Sequence, residues 1–150
     1  MAELRHRIVI HFLLEGLMYE DLRSFLGALE ARGLLSRVRA EVDWDLEIGA
    51  IQRRIFDSGG PALWFEHVRG HQWPLVSGVL GTPERLALAL GCEPDPRKMI
   101  AVMRNATANP IAPVIVDKGV CQQNVDRGDA VDVLKFPTPK WHQLDGGRYI

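Results

Sequence analysis

The sequence predicts an α+β fold: a small mixed α/β unit, followed by a less regular carboxy-terminal stretch. Three observations carry this. Leu22, Phe25, Leu26 and Leu29 recur at steps of three and four, the spacing of one apolar helical face. Arg37-Val38-Arg39-Ala40-Glu41-Val42 alternates polar and apolar residues, as a strand with one wet face does. Between residues 62 and 80, two apolar runs flank Val68-Arg69-Gly70-His71, the pattern of a hairpin.

The elements follow in order. Gly33 stops the first helix, in the left-handed position that glycine tolerates. After the strand at 37–42, Asp45 is placed to cap a second helix, with Glu47 favourable in its first turn. Ile48, Ile51 and Ile55 form its buried stripe, and Ser58-Gly59-Gly60-Pro61 ends it. Ala62-Leu63-Trp64-Phe65 is the first hairpin strand, and residues 73–80 return as the second, with Pro74 favouring an edge. Thr82-Pro83-Glu84 starts a helix: threonine as cap, proline at the first helical position, glutamate against the dipole. Gly91 closes it. Residues 98–106 predict one more helix, Val114-Ile115-Val116 and Val131-Asp132-Val133-Leu134 two short strands, and residues 136–150 a loop entering a strand.

Composition sets the class. The chain has 150 residues, 47% apolar and 25% charged, as globular proteins do. Its net charge is −1, from 18 basic and 19 acidic residues, which gives no electrostatic reason to expect nucleic acid or an anionic membrane. Cys92 and Cys121 are the only cysteines, so a reducing, cytoplasmic setting is expected rather than a disulfide framework. The apolar run at 8–14 is broken by His11, followed by Glu15, and lacks a small-x-small cleavage site. It is also too short to span a bilayer. Residues 1–18 are therefore expected to be a poorly ordered extension, and Met1 and Met18 are both candidate starts.

Chemistry-bearing residues are sparse. His67 and His71 sit four apart, but the turn residues between them argue for surface histidines rather than a metal pair. Gly59-Gly60 and Gly146-Gly147 match neither phosphate-loop pattern and read as turns. Asp43 and Asp45 flank Trp44 and are explained most simply by a helix cap. Trp44, Trp64, Trp73 and Trp141 read as packing residues, since no basic groove accompanies them. The densest polar cluster is Lys140-Trp141-His142-Gln143-Leu144-Asp145-Gly146-Gly147-Arg148-Tyr149. There His142 can titrate, Asp145 can accept, and Arg148 can clamp a phosphate or carboxylate, unless the stretch is an ordinary polar loop.

Four stretches, in order, resemble the amino-terminal part of the UbiD family of decarboxylases. They are Asp21-Leu22-Arg23-Ser24-Phe25-Leu26 with Leu29-Glu30-Ala31-Arg32-Gly33, then Glu41-Val42-Asp43-Trp44-Asp45-Leu46-Glu47-Ile48. Gly60-Pro61-Ala62-Leu63-Trp64-Phe65-Glu66 runs through to Gly81-Thr82-Pro83-Glu84-Arg85. Pro137-Thr138-Pro139-Lys140-Trp141-His142 with Asp145-Gly146-Gly147-Arg148-Tyr149-Ile150 completes the set.

The resemblance implies a carboxy-lyase that reversibly and non-oxidatively decarboxylates aromatic or α,β-unsaturated carboxylic acids. It implies prenylated FMN from a flavin prenyltransferase, with Mn2+ and K+, and a homo-oligomer for a full-length enzyme. It also implies a layout: an amino-terminal α/β domain at 19–108, and at 109–150 the incomplete start of a split β-barrel flavin domain. The family's metal-ligating Asn, His and Glu and its Glu-Arg-Glu network lie beyond the Gly146-Gly147-Arg148-Tyr149-Ile150 motif. No residue here matches a catalytic or metal position, the cofactor-binding residues are unassigned, and His142, Asp145 and Arg148 receive no family role. The chain alone is expected to be inactive. The alternative is a non-catalytic subunit or interaction module that completes its barrel with a second chain.

Overall fold

The structure, a computed structural model, describes residues 19–149; the expectations for residues 1–18 and for the start codon lie outside them. The elements are α1 (Leu22–Ala31), β1 (Leu35–Val42), α2 (Glu47–Asp57), β2 (Ala62–Val68), β3 (Leu75–Ser77), α3 (Pro83–Leu90) and α4 (Pro96–Ala108). Three short 3-10 turns follow, at Val120–Gln122, Gly128–Ala130 and Val133–Lys135.

The sheet has three strands in the order β1-β2-β3. β1 and β2 run parallel, which the long α2 crossover between them permits, and β3 returns antiparallel to β2. The expected hairpin is therefore present, but its second strand is shorter than 73–80, because Gly78 at φ +72° turns the chain away. Alternation along central β2 divides the core between two faces. Ala62 and Trp64 face α1 and α3, packing with Phe25, Leu26, Leu29, Leu35 and Leu88. Leu63 and Phe65 face α2, packing with Val42, Ile48, Ile51, Ile55 and Val68. Leu29, Ile48 and Phe65 are fully buried.

Local signals account for the helix ends. Asp21 caps α1 by accepting from the Ser24 amide at 2.8 Å, and Ser24 Oγ accepts from the Asp21 amide in return. The Ser24 amide, and after it the Ser24 hydroxyl, favour the carboxylate, so the Asp21 carboxyl lies below its ordinary value. Gly33 adopts φ +70° beyond α1 and Gly91 φ +66° beyond α3, as expected. Thr82 caps α3 with Pro83 in its first turn. α4 begins at Pro96, two residues before the expected start, because Asp95 accepts from the Arg97 and Lys98 amides.

Several expectations are corrected. Val114-Ile115-Val116 is not a strand, and neither is Val131-Asp132-Val133-Leu134, whose first two residues are irregular and whose last two open the 3-10 turn Val133–Lys135. Both runs have strand composition, but a strand needs a partner for its ladder, and the described residues offer none. The segment at 136–149 forms no strand; one parallel bridge joins Lys140 to Asp45. Asp45 does not cap α2. The N-cap is Leu46, at φ +68° and with no side-chain cap bond. Cys92 and Cys121 are both free.

Beyond Leu35, the α1 side of β1 carries charge rather than apolar surface. Arg37 forms a forked pair with Glu30, reaches Glu66 at 3.1 Å and stacks on the Trp64 ring at 4.2 Å. The register of β1 against β2 shifts between Val38 and Glu41, a bulge that bends this edge.

Candidate functional site

The polar stretch 136–149 is seated against the start of α2, and backbone hydrogen bonds fix the seat. The Lys140 amide donates to Trp44 O at 3.0 Å, and the Leu46 amide donates to Lys140 O at 3.0 Å. The Trp141 carbonyl lies so close to Gly49 that an added Cβ would stand 2.3 Å from its oxygen. Only glycine permits that approach. Pro137 and Pro139 are buried here, and Trp141 packs against the Val42–Ile48–Phe65 cluster.

Forming this junction explains the backbone of Leu46. Asp45 bridges to Lys140 between turn residues 44 and 46, and the chain must pass at once into α2, which drives Leu46 to positive φ. Neighbouring carboxylates hold the turn. Asp43 Oδ1 accepts from the Asp45 amide at 2.9 Å, and Glu47 Oε2 accepts from the Asp43 amide at 2.6 Å. Asp43 also receives Arg69 at 2.6 Å. Glu41 at 3.3 Å, with Asp43, raises the Arg69 pKa above its ordinary value.

His142, Asp145 and Arg148 do not converge on one point. Asp145 Oδ2 accepts from the His142 amide at 2.9 Å and so closes a turn, with the exposed His142 ring 3.7 Å away. Arg148 turns inward instead. Its Nε donates to Thr138 O at 2.6 Å, and one Nη donates to Phe136 O at 2.7 Å. That same nitrogen lies 3.1 Å from His71 Nε2, and the guanidinium covers the Trp44 ring at 4.3 Å. His71 Nδ1 in turn lies 3.0 Å from Lys135 O. Arg148 thus gathers three turns of the chain, with Nε and one Nη engaged by protein.

The sequence reading did not foresee the partnership of His71 with Arg148, because the two residues are far apart and no local pattern marks them. Gly49 did carry a signal: a glycine inside an isoleucine stripe costs helix stability and marks a close approach. Among the described residues, no group of three or more His, Cys, Asp or Glu side chains could hold a metal ion. A cavity of about 500 Å3 opens beside His71, lined also by Trp73, Asp132 and Lys135. One guanidinium is buried without a carboxylate: Arg85 donates to Gly60 O at 3.0 Å, and burial lowers its pKa.

Comparison with known proteins now places this arrangement. Residues 26–103 match the profile of the 3-octaprenyl-4-hydroxybenzoate carboxy-lyase N-terminal domain. The chain belongs to the UbiD family. Residues 114–150 match the same family's Rift-related domain. Pyrrole-2-carboxylic acid decarboxylase of Pseudomonas aeruginosa is 40% identical over 146 residues, covering 87% of this chain and 29% of that protein. The UbiD-class enzyme HmfF of Pelotomaculum thermopropionicum, solved as an evolved dimeric form with prFMN, superposes with a TM-score of 0.77 at 34% identity. That match covers 88% of this chain and 30% of HmfF. Vanillic acid decarboxylase of Sedimentibacter hydroxybenzoicus, in open form, gives 0.77 at 31% identity, over 89% of this chain and 30% of that one. The chain therefore spans about three tenths of the length of these UbiD relatives. The three-stranded α/β unit is the one found at the amino-terminal part of UbiD-class enzymes, and these named relatives are decarboxylases or UbiD-class enzymes.

Proposed function

We propose that this chain is the amino-terminal portion of a UbiD-type carboxy-lyase acting non-oxidatively and reversibly on aromatic or α,β-unsaturated carboxylic acids. The observation that carries this reading is the 40% identity to a pyrrole-2-carboxylic acid decarboxylase, which covers most of the chain. Loss of CO2 from an sp2 carbon leaves a poorly stabilised carbanion, so the reaction needs an electron sink. Prenylated FMN, when bound, supplies it. HmfF was solved with that cofactor. The proposal extends to Mn2+ and K+, to a flavin prenyltransferase as cofactor supplier, to a homo-oligomeric full-length enzyme and to a cytoplasmic setting. No helix among the described residues is long and apolar enough to cross a membrane.

The described residues do not fit the cofactor and its metal by themselves. They bring no three metal-ligating side chains together. Arg148, the cation best shaped for a flavin phosphate, already donates to Thr138 and Phe136 carbonyls. In this reading the family's metal-ligating Asn, His and Glu and its acid/base network are supplied from outside residues 19–149. What these residues do is structural: they build the α/β unit and anchor the 136–149 segment on Trp44 and Gly49.

The test is a chimaera. The first 29% of the Pseudomonas aeruginosa decarboxylase is replaced by this chain, and CO2 release from pyrrole-2-carboxylate is measured with prenylated FMN and Mn2+. Activity is expected from the chimaera and none from the 150-residue chain alone. A folded but inactive chimaera, or turnover by the isolated chain, would overturn the reading. A second reading is favoured by Ile111, Val114 and Ile115, which are 88%, 85% and 96% exposed: a non-catalytic subunit whose apolar run is covered by another polypeptide.

A further inference from the structure

We propose that His71, Arg148 and the Lys135 carbonyl form a proton-sensitive latch, closed when His71 is neutral, that holds the 136–149 segment on the α/β unit. The proposal is independent of the decarboxylase reading, because it rests on hydrogen-bond roles alone.

The roles are forced by chemistry. Lys135 O, 3.0 Å from His71 Nδ1, can only accept, so Nδ1 carries the hydrogen. The Arg148 guanidinium can only donate, so His71 Nε2, 3.1 Å away, must present its lone pair. Both contacts are satisfied together by one species, the neutral Nδ1–H imidazole. A proton taken up at Nε2 removes the acceptor and sets an imidazolium against a guanidinium. That nitrogen of Arg148 also donates to Phe136 O, and Nε donates to Thr138 O. Repulsion at His71 is therefore transmitted to the backbone of 136–138 and to the Arg148 stack on Trp44, beside the Lys140–Trp44 bond.

Among the described residues, no carboxylate forms an ion pair with His71 or Arg148. Asp132 lines the adjoining cavity, but its side chain accepts from the Leu134 amide. The Lys135 ammonium, on the same segment, pairs with Asp126. In the turn that carries His71, Arg69 faces Glu41 and Asp43. Of the charged groups on these elements, Asp132 shares the cavity with His71 but forms no ion pair with it.

Two measurements on the full chain test the latch. Nitrogen chemical shifts of the His71 ring at about pH 8 report its tautomer, and the Nδ1–H form is expected. Amide protection factors at Lys140 and Leu46, corrected for intrinsic exchange, are then followed from about pH 8 to about pH 5.5. Protection is expected to fall about tenfold, the scale of one charge-assisted hydrogen bond. In H71Q and in R148Q the fall is expected to vanish, while protection in β2 stays constant in all three proteins. An Nε2–H tautomer in the wild-type chain overturns the proposal without reliance on any variant. So does an undiminished fall in H71Q, or protection that does not change with pH in the wild-type chain.

Discussion

Residues 19–108 and residues 109–149 are both rich in aliphatic side chains, yet they use them in opposite ways. Every buried apolar residue of the two core clusters lies between Phe25 and Val68. Beyond α4, Ile111, Val114, Ile115, Val120 and Leu144 are each more than four-fifths exposed. The difference is one of partners. β2 is flanked by a strand on each side and by helices on both faces, so each apolar residue it carries meets another. Val114-Ile115-Val116 has the same chemistry and no ladder to join. Apolar content makes a strand possible; only pairing makes it one.

The contrast can be broken by substitution. Phe65→Ala removes a fully buried ring from the α2 side of the sheet and is expected to cost about 3–5 kcal/mol. Denaturant titration would read this as unfolding of 19–108 at a much lower midpoint. Next in size is Gly49→Ala, which forces the Trp141 carbonyl away from α2. Overpacking of this kind costs about 1–3 kcal/mol, while the helix itself gains from alanine. Amide exchange should therefore show 137–149 released and the α/β unit intact, which separates the two regions.

A smaller effect is expected from acid. The Arg37 guanidinium, bonded to both Glu30 oxygens, holds the Glu30 carboxyl below its ordinary value of 4.5. A lowered folded value means the contribution is present above pH 4.5 and is lost as pH falls through the folded value. The stability difference between wild type and Glu30→Gln should therefore shrink below that pH; a constant difference would break the assignment. Smallest of all is Ile115→Ser. At 96% exposure, its effect on the unfolding midpoint should stay within about 0.5 kcal/mol.

Elements whose determinants are local were legible in the sequence. Thr82-Pro83-Glu84 and Gly91 bounded α3, and the stripe ending at Leu29 with Gly33 beyond bounded α1, because caps and periodicity act within a turn or two. Asp45 was misread as a cap because the deciding contact is Lys140, nearly a hundred positions away. The parallel pairing of β1 with β2 was not specified by either strand alone. Of the polar cluster, Asp145 does accept, closing a turn on the His142 amide three residues before it, a contact within local reach. The inward turn of Arg148 did not, since its acceptors at 136, 138 and 71 are assembled only by the fold.

The bulged, charged face of β1 has a consequence for crowding. A sheet can recruit foreign strands only through its margins, and here both are blunted. One margin carries Arg37, Arg39 and Glu41 across an irregular register, and the other is β3, three residues long. Fibril-like stacking through this sheet is thereby discouraged. Sticky encounters with other macromolecules are channelled instead to the bare aliphatic run at 111–116.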